Sequence, residues 1–148
     1  MSFQDLAREV QLGLDGRNSG IPMGFNRLNR YIGIRKSIYT LVGGLTGSGK
    51  TSFIDDAYVL NPFDWYISGK NTTDIKLRII YRSMERSRTY KYAKWIGRKI
   101  FLDHGVIIPV GKMLGWTDKM SHDEHDLFLM YEDYMDSMSD VITIIDGP

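Results

Sequence analysis

The sequence predicts an α/β fold, a mostly parallel sheet flanked by helices, and three observations carry that expectation. Residues 44–51 (Gly-Leu-Thr-Gly-Ser-Gly-Lys-Thr) fit, without a gap, the phosphate-loop pattern of Gly, four residues, then Gly-Lys-Thr. The flanks suit it: residues 37–42 (Ser-Ile-Tyr-Thr-Leu-Val) read as a buried strand, and residues 52–60 can continue as a helix. Two further apolar runs, at 75–81 and 141–146, read as strands with helical segments between them.

The loop has a definite chemistry. Gly44, Gly47 and Gly49 permit backbone angles closed to other residues and keep side chains out of a ligand's way. The amides of Gly44, Thr46, Gly47, Ser48, Gly49, Lys50, Thr51 and Ser52 can then converge on an anion, helped by the positive end of the following helix. Lys50 would place its ammonium on the β- and γ-phosphates of ATP, and the Thr51 hydroxyl would bind Mg2+. Read without its flanks, the same stretch is only a Gly-rich turn before a helix. With them it is a nucleoside triphosphate site.

Composition sets the outer bounds. The 148 residues suffice for one domain with its own core, and 43% hydrophobic with 25% charged residues is ordinary for a soluble globular chain. A formal net charge of +1 neither requires nor excludes nucleic acid. There is no cysteine, which rules out disulfides and thiolate metal sites. No apolar run reaches membrane-spanning length and no signal-peptide layout opens the chain, so a cytoplasmic location, in a cell or an infected host, is the expectation.

In chain order, residues 1–13 form a short amphipathic helix with Phe3, Leu6, Val10 and Leu14 at helical spacing and Ser2 or Asp5 at its start. A turn-rich linker follows to residue 18, and residues 19–148 are read as one domain. Pro62 is expected to end the helix after the phosphate loop, and residues 61–74 to form a surface insertion in which Trp65 and Tyr66 pin a polar loop. Residues 87–101 read as a helix, bearing Trp95, with one stripe of Tyr92, Ile96 and Lys99 and a basic one of Arg88, Lys91, Lys94 and Arg98. That stripe is either a solvated face or a contact for nucleic acid. Pro109 and nearby glycines argue against a long element at 103–113. Ser121 to Glu124 is a capping box opening a helix through Leu127, Met130, Tyr131, Tyr134 and Met138. His122 and His125 lie one helical turn apart but lack a third ligand, so they read as exposed histidines rather than a metal site.

Gly-Ile-Pro-Met-Gly-Phe-Asn-Arg-Leu at 20–28, a short spacer and an apolar strand leading into the phosphate loop resemble the start of a RecA-type ATPase core. Within that group the chain is most similar to the DnaB-like replicative helicases, although Asn29 stands where that family usually has Asp. In the family a strand ends in Ser-x-Glu-Met, and Ser83-Met84-Glu85 matches it with Arg86 in place of the Met. The resemblance therefore implies that Glu85 is the general base that activates water, with Lys50 as its catalytic partner. A carboxylate at the end of a parallel strand beside the phosphate loop is chemically apt for that role. Residues 144–148 (Ile-Ile-Asp-Gly-Pro) resemble the family's Ile-Asp-Asp-x-Pro strand, which disfavours Asp146 as the second magnesium ligand. The resemblance implies an ATP hydrolase that moves on single-stranded DNA as a homo-hexamer. It also implies that this chain covers the front half of the ATPase core, with the DNA-binding loops further on. The alternatives are a RecA-type nucleotide-binding module that assembles partners without unwinding DNA, and a small phosphate-loop kinase.

Overall fold

The computed structural model describes residues 1–18, 20–71 and 75–147. The chain gathers into two compact units, Met1–Lys76 and Leu77–Pro148. Mixed helix and strand with a parallel sheet makes it α/β in the broad sense.

In the first unit, helix α1 spans Phe3–Leu14. Its start is a complete capping box: the Ser2 hydroxyl accepts the Asp5 N–H, and the Asp5 carboxylate accepts the Ser2 N–H at 2.7 Å. Ser2 is thus the cap and Asp5 its reciprocal partner. None of the helix's apolar residues is buried.

Residues Ile21 and Ile34 exchange backbone hydrogen bonds as an antiparallel bridge, the N–H of each donating to the carbonyl of the other at 2.9 Å. Between them the chain is clasped at Met23. Its N–H donates to Asn29 Oδ1 and its carbonyl accepts from Asn61 Nδ2, both at 2.8 Å. Asn29 here serves as an acceptor, a duty an aspartate in its place performs equally well.

Two expectations fail in this unit. The run at 37–42 forms no strand: Ser37 takes a positive φ of 60°, and Tyr39 and Leu41 are 87% and 82% exposed. A strand exists only where a neighbour completes its hydrogen-bond ladder, and the sheet consists of two other segments. Nor does Pro62 end the helix. Helix α2 (Lys50–Ile54) passes through a π-helical stretch, Asp55–Leu60, straight into α3 (Asn61–Ile67). The Asn61 N–H reaches back five residues to the Asp56 carbonyl. A widened turn there accommodates the proline ring that clashes in a regular helix, and Pro62 falls in the first turn of α3. Half of the anticipated surface insertion is therefore helix, with Trp65 and Tyr66 half-buried, and Thr72, Thr73 and Asp74 lie outside the described residues.

The second unit is built on strands β1 (Ile79–Ser83) and β2 (Ile142–Asp146), which pair in parallel with Ile79 opposite Ile142 and Ser83 opposite Asp146. Helices α4 (Arg88–His104), α5 (Val110–Met113), α6 (His122–Leu129) and α7 (Glu132–Val141) form the crossover between them. Parallel strands need such a long return. Ile142 and Ile144 point inward, whereas Ile80 and Ile145 are 66% and 48% exposed, so one face of the sheet is open. Ile96, Ile100, Ile108 and Tyr131 form a core to which Leu127, Phe128 and Met135 add.

Helix α4 is capped by Ser87, whose hydroxyl accepts the Tyr90 N–H, and it corrects the stripe expected of it. Lys91, assigned to a basic exposed face, is 2% exposed, and Trp95 on the same helix is 1% exposed. Lys91 Nζ donates to the Tyr81 hydroxyl at 2.7 Å, and Trp95 packs edge-on against Tyr81 and Tyr92. The helix is enclosed on two sides, facing β1 with one and the Ile96–Ile100 core with the other. Charge periodicity alone does not reveal that. The helix expected from Ser121 begins as anticipated, with Ser121 and Glu124 completing a capping box, but breaks at Met130–Tyr131 into α6 and α7.

Carboxylates tie this unit together. Asp146 Oδ2 accepts the Arg88 N–H at 2.6 Å, joining the end of β2 to the start of α4, and that bond holds the Asp146 carboxyl below its ordinary value. Glu124 is lowered chiefly by Lys112, 2.6 Å away. Burial pushes Asp103 up, yet hydrogen bonds from Lys99 and Tyr131 outweigh it and the net shift is downward. Burial, then the bond to Asp103, pushes Tyr131 up to about 12. A depressed carboxyl contributes stability fully above its unfolded pKa and loses it as pH falls through the lower folded value. The unfolding midpoint should therefore hold near neutrality and drop below the ordinary carboxylate values of 3.8 and 4.5. Asp146→Asn should shrink that acid-side drop. Tyr131 runs the other way, its contribution intact below 10.0 and lost as pH climbs toward about 12. Thermal melts across pH, with phenolate absorbance on the alkaline side, check both limbs, and an acid limb unchanged in Asp146→Asn would refute the role given to that carboxylate.

Candidate functional site

The phosphate-loop residues come together in the first unit. Lys50 Nζ donates to the carbonyls of Gly44 and Leu45, each at 2.7 Å, so the lysine folds back over the loop that precedes it. The Ser48 N–H closes a turn onto the Leu45 carbonyl at 3.2 Å. Gly47 and Gly49 have φ of 79° and 84°, the left-handed region in which a side chain is strained. At Gly44 the limit is space instead, because an added Cβ would come within 2.7 Å of Ser48 Oγ.

Gly49 is the N-cap of α2 and offers no side-chain acceptor. The first N–H groups of a helix have no intrahelical partner, so those of Lys50 and Thr51 remain for a ligand or solvent. Thr46, Ser48, Thr51 and Ser52 are exposed, and Lys50 is half-buried. An uncapped helix start, an ammonium and the Thr51 hydroxyl form a donor set suited to an anion with many oxygens. The hydroxyl is also a fitting single protein ligand for Mg2+, which favours oxygen donors shared with phosphate. The two carbonyls that hold Lys50 were not legible beforehand, since backbone acceptors carry no residue-type signal.

Glu85 belongs to the second unit, in the turn that leaves β1, and it is exposed. Ser83 shapes this turn: its hydroxyl donates to the Arg86 carbonyl at 2.5 Å and accepts the Arg86 N–H at 3.2 Å. Asp146, opposite Ser83 in the sheet, is engaged by the start of α4 through Arg88. His122 and His125 are exposed on α6, and among the described residues no group of three or more His, Asp or Glu could hold a metal ion.

A groove of about 790 Å³ lies in the second unit, lined by Tyr92, Ile96, Phe128, Met135, Ile142 and their neighbours. None of the phosphate-loop residues lines it. Its walls are largely apolar, with Arg88, Thr89 and Ser139 among the polar lining, so volume and chemistry point to different places in this chain. The chemistry of the loop is the better guide to a triphosphate.

No family model, no curated protein and no solved structure matches the chain. Among the described residues no helix is long and apolar enough to cross a membrane.

Proposed function

We propose that the chain binds Mg-ATP through residues 44–52 and is the nucleotide-binding part of a RecA-like ATPase of the DnaB-like helicase type. One observation carries this reading. The lysine of a complete phosphate-loop pattern is held 2.7 Å from two carbonyls of its own loop, beside a helix start that no side chain caps. A triphosphate entering there offers Lys50 anionic oxygens in place of neutral carbonyls, a stronger partner. The loop amides and Lys50 then bind and orient the β- and γ-phosphates, and Thr51 supplies a ligand to the magnesium ion. Glu85 is assigned as the base that orients water, on the strength of the Ser83-Met84-Glu85 resemblance. Hydrolysis would drive movement along single-stranded DNA in a homo-hexamer.

The test is calorimetric titration of the chain with Mg-ATP, followed by hydrolysis assays with and without single-stranded DNA. Saturable binding and DNA-stimulated hydrolysis are expected. Absence of saturable binding overturns the nucleotide site. Binding with hydrolysis indifferent to DNA replaces the motor with a RecA-type module that assembles partners.

A further inference from the structure

Of the three tryptophans, Trp95 is buried and Trp65 half-buried, but Trp116 is 62% exposed. Its exposure is built in. Gly115 turns the chain with φ of 69°, and the N–H groups of Trp116 and Thr117 both donate to the Gly111 carbonyl, at 2.7 and 3.3 Å. Gly111 itself packs so closely on Thr117 that an added Cβ would lie 3.3 Å from its side chain. The indole is therefore held out by a tight backbone turn rather than left on a loose loop.

It is also braced. The Tyr90 ring lies nearly parallel to the Trp116 ring, with 16° between planes and 6.0 Å between centroids. The Arg86 guanidinium sits 4.8 Å from the centre of the same Tyr90 ring. Three flat groups from the β1–α4 turn, helix α4 and the turn after α5 thus share one surface. Arg82, Arg86 and Arg88 are exposed between residues 82 and 88, against Glu85 as the acid of that stretch.

We propose that Trp116, backed by Tyr90 and flanked by Arg86, is a stacking platform for a base of single-stranded nucleic acid. A flat apolar ring wants a flat apolar partner, and the neighbouring guanidinium wants an anion. A nucleotide within a single strand presents both, whereas a duplex hides its base faces. The face of an Arg lying on an aromatic ring leaves its N–H edge free for phosphate. The proposal deepens the motor reading by naming where the strand is held, but it stands on second-unit residues alone.

Fluorescence anisotropy of a labelled oligothymidylate of about 20 nucleotides, longer than one stacking site requires, tests it on the full chain. Trp116→Ala should weaken binding about tenfold, the range of one lost base–aromatic stack, and Trp116→Phe should restore most of it. Because the ring is exposed, far-UV CD and the melting temperature should not change in either variant. Three results would overturn the platform: no binding by the unmodified chain, equal binding by Trp116→Ala, or a duplex of equal length binding as tightly as the single strand. Self-association that changes in Trp116→Ala while oligonucleotide affinity holds would assign the ring to a protein contact instead. A mononucleotide that competes as well as the oligonucleotide would mean a free-nucleotide site and overturn the strand assignment. Lys50→Ala should leave nucleotide-free oligonucleotide binding intact, so the failure of either site is read separately.

Discussion

Lys50→Ala is expected to weaken Mg-ATP binding by about a hundredfold, the upper range for losing a hydrogen bond to a charged group. The side chain has two roles in the geometry described. Without ligand it braces the loop by bonding the Gly44 and Leu45 carbonyls. With ligand it supplies the cation that the phosphates require. Alanine removes both, leaving the uncapped start of α2 as the chief remaining attraction for the anion, and a helix terminus is worth only about 1 kcal/mol at an exposed site. Lys50→Arg separates the roles, since it keeps the charge but cannot place a compact ammonium between two carbonyls. It should fall between the other two. The helix from Lys50 to Ile67 buries Ala57, Val59, Leu60 and Phe63, all about two turns or more beyond the substitution, so far-UV CD should be unchanged. Calorimetry that gives Lys50→Ala the unmodified affinity would remove the phosphate loop from the protein's function.

What the sequence made legible was local, and what it hid was long-range. Ser2, Ser87 and Ser121 could be read as helix starts because a hydroxyl followed by an acid or by helical periodicity acts within three residues. The strand at 142–146 was equally readable, as an apolar β-branched run, but its parallel pairing with β1 was not. The run at 37–42 has the same composition as a strand yet is not one, because ladder partners lie elsewhere in the chain and no residue type announces them. Pro62 misled for a related reason. A proline forbids a regular helical turn at its position, not a widened one, and no residue type in the run 55–60 announces the π-helical stretch that precedes it. The break at Tyr131 lacks glycine and proline altogether. Its hydroxyl donates to Asp103 at 2.8 Å and its ring packs edge-on to His104, partners about 28 residues away that no local window contains. The loop 44–52 was legible for the opposite reason, since all its working parts are consecutive.

Trp95→Ala should destabilise the chain by about 3–5 kcal/mol, the range for emptying a buried aromatic site. Its indole is 1% exposed and meets Tyr81 of β1 at 5.6 Å and Tyr92 at 5.8 Å between centroids, both near perpendicular. Each such pair adds roughly 0.5–1.5 kcal/mol beyond burial of area. The location raises the cost further. A two-stranded parallel sheet has little stability of its own, so β1 depends on the helix laid across it, and Trp95 is the largest group in that contact. One turn earlier, Lys91 bonds the Tyr81 hydroxyl from a position 2% exposed, and a cavity beside it would admit water to a charge now sheltered. Since small domains are stable by only about 5–15 kcal/mol, the loss takes a large share of the total. Trp95→Phe sharpens the test. The indole N–H has no hydrogen-bond partner among the described residues, and phenylalanine removes that donor while keeping most of the volume. Its cost should stay below about 1.5 kcal/mol, as for other near-conservative core exchanges. Urea unfolding followed by far-UV CD measures both. Equal losses for Ala and Phe would mean that the cost does not scale with the volume emptied and would overturn the packing account, and a loss below about 1 kcal/mol for Ala would place Trp95 outside the cooperative core.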